Sequence, residues 1–87
     1  MWNSQAERAI DALLAECPDS AKTGPLRNTI LESIGLDPLT GESDPDGPLA
    51  VGPNERIYAG VASSLTHAGL DAESSAQLVE QHVVPEF

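Results

Sequence analysis

Basic residues are scarce in this chain: 4 Lys and Arg stand against 14 Asp and Glu in 87 residues, for a net charge of −10. So few cations cannot neutralise a track of phosphates, so direct nucleic-acid binding is not expected, and an anionic membrane is repelled by the same field. Aromatic residues are nearly missing, being limited to Trp2, Tyr58 and Phe87. A core must therefore come from Leu, Ile and Val, with eleven alanines as filler. In a chain this short such a core supplies only about 3–5 kcal/mol, so a stabilising partner or a homo-oligomer is expected. Cys17 is the single cysteine, which excludes an intramolecular disulfide and favours a reducing compartment. No apolar run approaches the roughly 18 residues that cross a bilayer. Met1-Trp2-Asn3-Ser4-Gln5 has neither the basic nor the hydrophobic part of a signal peptide, and a cytoplasmic location is expected.

What is present reads as one all-α domain, a small three- to four-helix fold over 1–87. Ser4 stands three residues before Glu7 as a capping box, and Ala6, Ala9, Ile10, Leu13, Leu14 and Cys17 form one stripe of a helix over 4–17. Pro25 opens a second helix over 25–34, with Leu26, Ile30, Leu31 and Ile34 inward and Gly35-Leu36 as a Schellman end. Residues 37–53 are rich in Pro, Gly and acid and predict a long loop between helices two and three. A third helix over 54–68 turns Ile57, Tyr58, Val61, Ala62 and Leu65 to one side and ends at Gly69-Leu70. Asp71 then caps a fourth over 71–84, with Ala72, Ala76, Val79 and Val83 at helical spacing, so that helices three and four form a hairpin. Gly35-Leu36-Asp37 recurs as Gly69-Leu70-Asp71, but each is explained by a helix end followed by a turn or cap, and no repeat is read.

The chemistry-bearing patterns are sparse. Counting from Glu42, the acids Glu42, Asp44 and Asp46, then Gly47 and Leu49, follow the spacing of an EF-hand calcium loop. The twelfth position, where a bidentate carboxylate is needed, is Pro53, and an acidic solvated turn explains the segment better. His67 and His82 lack the further ligands of a zinc site, and His67 suits the end of a helix dipole. Cys17, on an apolar stripe before a proline, reads as a buried thiol rather than a nucleophile. Ala21-Lys22-Thr23-Gly24-Pro25 lacks the glycine spacing of a phosphate loop. No metal, no cofactor and no enzymatic activity is expected.

The acids remain. Glu7 and Asp11 share a helical face, as do Glu73 and Glu80, and the loop adds Asp37, Glu42, Asp44 and Asp46. Carboxylates so spaced can occupy a basic groove in place of a phosphate backbone, or simply keep a small protein soluble. The leading expectation is a non-catalytic module that inhibits or masks a larger, basic, nucleic-acid-handling protein. Inhibitors, immunity proteins, antitoxins and phage-encoded anti-defence proteins share this size and charge. Glu7, Asp11, Glu42, Asp44, Asp46, Glu73 and Glu80 would then face the partner. The alternative is an accessory or structural subunit that docks by apolar surface onto an enzyme or viral assembly, with Trp2 and a terminal Phe87 as exposed anchors.

Overall fold

The computed structural model describes residues 4–18 and 25–87. Five α-helices form among them: α1 (Ser4–Glu16), α2 (Leu26–Ser33), α3 (Pro48–Val51), α4 (Asn54–His67) and α5 (Ala72–His82), followed by a 3-10 turn at Val84–Glu86. No named strand occurs among the described residues, so the all-α class holds. The count of three or four helices needs correcting, because 37–53 is not loop throughout. Gly47 is extended and Pro48 follows at the first helical position, where its missing N–H costs nothing, so one turn of helix nucleates at Pro48–Val51. A helix of a single turn is too short to show a hydrophobic period.

The four longer helices contact one another in a closed ring: α1 meets α2, α2 meets α4, α4 meets α5, and α5 returns to α1. Each places an aliphatic stripe in one common core. Ala6, Ile10, Leu13 and Cys17 come from α1 and its end, Leu26, Ile30, Leu31 and Ile34 from α2 and its cap, and Ile57, Val61 and Leu65 from α4. A Cβ built at Gly60 of α4 would lie 3.1 Å from the Ser33 carbonyl oxygen, so the missing side chain lets α2 and α4 approach closely. The stripes of α1, α2 and α4 are those the spacing predicts, with Leu14, Tyr58 and Ala62 only partly buried against the core.

The stripe on α5 is different. Ala72 and Ala76 are exposed, while Ser75 is buried beside Val79 and Val83. The Ser75 hydroxyl donates to the Asp71 carbonyl oxygen at 2.9 Å, and this bond to the preceding turn lets a polar side chain enter the core.

Helix ends follow local chemistry. At the end of α2 the Gly35 and Leu36 N–H groups donate to the Glu32 and Leu31 carbonyls, and at the end of α4 Gly69 and Leu70 donate to Thr66 and Leu65. Both are Schellman ends, with Leu36 and Leu70 folded into the core. Asp71 caps α5 by accepting from the Ser74 N–H at 3.3 Å. The hydrogen bonds from the Ser74 side chain and backbone hold the Asp71 carboxyl below its ordinary value of 3.8. A depressed acid contributes stability that is present above its unfolded value and is lost as pH falls through the lower native value. Asp71→Ala should therefore lower Tm at neutral pH, and the gap to the parent should narrow below pH 3.8. A constant gap across an acid titration of Tm would show that the charge contributes nothing.

The capping box rests on the Ser4 side chain, which lies outside the described residues, as do Trp2 and Lys22-Thr23. The end of the chain is described. Gln5 Nε2 donates to the Glu86 carbonyl oxygen at 2.7 Å, and the Asn54 amide donates to the Phe87 oxygen, which fastens the 3-10 turn to α1 and α4. Phe87 packs against the core and Val83 is fully buried. The expectation of Phe87 as an exposed anchor is corrected: Phe87 and Val83 cover the hydrophobic core, while Val84 between them stays 40% exposed.

Candidate functional site

Between α2 and α3 the chain forms an ordered acidic loop. Asp37 Oδ1 accepts from the Leu39 N–H at 2.8 Å, and the Gly41 N–H returns to the Asp37 carbonyl at 2.8 Å. An isolated antiparallel bridge joins Leu36 to Ser43. Asp44 then donates its N–H to the Gly35 carbonyl at 2.6 Å, and its side chain accepts from the Asp46 N–H at 2.9 Å. At the loop's close, Gly47 crosses Gly35 so tightly that a Cβ built on either would lie 3.0 Å from the other's Cα. The backbone of 35–47 is thus pinned by its own short-range bonds and by this crossing, rather than left to solvent.

That path presents the acids outward. Glu32, Asp37, Glu42, Asp44, Asp46 and Glu55 are all exposed, and the sequence has no Lys or Arg between Arg27 and Arg56. Leu39 stands among them 89% exposed, the largest exposure of any large hydrophobic residue described. An open groove of about 750 Å³ runs between α2 and the loop, bounded by Glu32, Leu36, Pro38, Leu39, Glu42 and Asp44. The EF-hand spacing does not assemble a cage: among the described residues no three His, Cys, Asp or Glu side chains converge as metal ligands. Pro48–Val51 becomes helix where such a loop would supply its last ligands.

The other expected acids divide into two kinds. Glu73 and Glu80 on α5 are exposed, away from the loop in sequence. Glu7 and Asp11 are engaged within the molecule: Arg27 of α2 places Nη2 3.1 Å from Glu7 Oε1 and Nε 2.8 Å from Asp11 Oδ1. The bond to Asp11, with that to Glu7, raises the Arg27 guanidinium above its ordinary value. One cation here offsets the repulsion of two carboxylates a helical turn apart and ties α1 to α2. Arg27→Gln is expected to cost about 1 kcal/mol in urea unfolding, with a smaller cost at high salt. An unchanged midpoint would show that solvent screens the pair fully.

Across the molecule, the His82 ring meets the Glu16 carboxylate and links α5 to α1, while His67 is exposed in the last turn of α4. Cys17 is buried. No described helix is long and apolar enough to cross a membrane.

No known protein family matches this chain. No curated protein or solved structure does either. The site rests on its own geometry.

Glu32 and Leu39 are the residues that sequence reasoning left out. The signal for both was present: the uninterrupted absence of cations from 28 to 55, and an Asp-Pro-Leu turn that has no reason to hide its leucine.

Proposed function

We propose that this protein acts by binding, as a non-catalytic acidic module that covers a basic surface of a larger protein, one that handles nucleic acid. The observation that carries this reading is the segregation of charge. Six exposed carboxylates lie between Arg27 and Arg56 with no cation among them, on a backbone already ordered by its own hydrogen bonds. An ordered loop loses little conformational entropy on docking, and a field of one sign raises the rate of encounter with the opposite sign. Glu42, Asp44 and Asp46 form the primary contact, and Glu73 and Glu80 extend the field. Glu7 and Asp11 contribute less, because Arg27 already neutralises part of their charge.

Capture of partners by the tagged protein tests this, with washes at about 0.1 M and about 1 M salt, between which the screening length shrinks from about 10 to 3 Å. The expected result is a basic partner held at low salt and released at high salt. A partner that persists at high salt, and is lost on Leu39→Ser instead, would replace this reading with the second one.

That second reading is an accessory subunit docking by apolar contact. It is favoured by the exposure of Leu39 (89%) and Val51 (63%). Phe87 serves it poorly, being folded onto its own core.

A further inference from the structure

The groove between α2 and the acidic loop has a chemistry more specific than negative charge. Leu36 lies at its inner side, and Pro38, Leu39 and Pro45 give it apolar walls. Four exposed acids, Glu32, Asp37, Glu42 and Asp44, also line it. Asp37 and Asp44 each use an oxygen to accept a backbone N–H of their own loop, which holds those side chains in place. Glu32 and Glu42 have no side-chain hydrogen bond or ion pair among the described residues. A lining that mixes apolar side chains with carboxylates is complementary to a side chain with an aliphatic stem and a cationic head. The planar guanidinium, with its fork of donors, can bridge carboxylates in a way that a compact ammonium cannot.

We infer that this groove receives arginine side chains from an extended segment of the partner, with the stem lying along Leu39 and Pro38 and the guanidinium meeting Glu32 and Glu42. The inference rests on the reading above, that the partner surface is basic, and adds where and by which residue it is engaged. Charge complementarity selects this occupant. The groove is lined by four acids (Glu32, Asp37, Glu42 and Asp44) and no base, so an acidic or purely apolar segment would leave those carboxylates facing like charge or stripped of water.

Titration of the isotope-labelled protein, followed by amide chemical shifts, tests it. The probes are two blocked pentapeptides of equal charge, Gly-Arg-Ala-Arg-Gly and Gly-Lys-Ala-Lys-Gly, at low ionic strength. Shifts should concentrate in 28–45, and the arginine peptide should bind several-fold more tightly. The double variant Glu32→Gln with Glu42→Gln should weaken it about tenfold, as expected for losing charge-assisted bonds. Glu73→Gln with Glu80→Gln removes the same charge from α5, where it acts only through the long-range field, and should weaken it clearly less than the groove double does. An unchanged Tm in each variant confirms that the fold is retained. Shifts spread equally over α1 and α5, or equal losses in the two doubles, would overturn the groove while leaving the acidic-mask reading standing. No binding of either peptide at low salt would overturn both.

Discussion

Gly35→Ala is expected to lose about 2–4 kcal/mol of stability, the sum of a backbone cost and a steric one. Gly35 ends α2 with φ at +83, a region that costs an L-residue about 1–2 kcal/mol. The new methyl group would also lie 3.0 Å from the Gly47 Cα and 3.1 Å from the Pro48 Cδ. Neither neighbour is the end of a flexible side chain, so the loop must move as a unit to make room. Gly69→Ala is the control. It ends α4 in the same Schellman arrangement, with φ at +112, but a Cβ there would meet nothing within 4 Å. Only the backbone cost applies, so denaturant midpoints should fall further for Gly35→Ala than for Gly69→Ala. Equal losses would mean that the loop yields without resistance and that its order is not fixed by the crossing. Because the crossing also sets where Glu42 and Asp44 stand, Gly35→Ala should weaken partner binding beyond its effect on folding.

Ile30→Ala should cost about 2–5 kcal/mol, the usual range for truncating a fully buried aliphatic residue. Ile30 has no exposed surface, and its helix packs on both α1 and α4. The buried core cluster is aliphatic apart from Cys17, with Tyr58 and Phe87 only packed against it from outside. At about 0.05–0.15 kcal/mol per residue, a chain of this length has about 4–13 kcal/mol in all, so that loss is a large fraction of it. Urea unfolding of the variant should show a sharply lower midpoint with an unchanged slope. A loss below about 1 kcal/mol would show that the helices close over the cavity.

The helical class, the stripes of α1, α2 and α4, and the ends at Gly35 and Gly69 were all legible in the residues. Each depends on neighbours within a turn or two of the same helix: a period of Leu, Ile and Val, or a glycine after the last turn. The phase of α5 was not legible, because alanine is tolerated on either face and Ser75 hides its hydroxyl in a bond to its own helix. The helix at Pro48–Val51 was not legible either, being shorter than any period that could reveal it. In the candidate site, the roster of acids could be read directly. Which of them are already committed could not, since Glu7 and Asp11 meet an arginine from a different helix.

By itself, the sequence determined the aliphatic core, the order of the four long helices, the glycine ends of α2 and α4, the Asp71 cap of α5 and the sign of the surrounding field. These are sums over composition or consequences of bonds between near neighbours, and they hold wherever the segments come to rest. The tertiary structure alone decided the ring of helix contacts, the crossing of Gly35 with Gly47, the pairing of Arg27, the return of Phe87 to the core and the groove beside Leu39. Each of these depends on the distance between segments far apart in the chain. That distance is set only when the helices bury their stripes against one another, and no local preference encodes it.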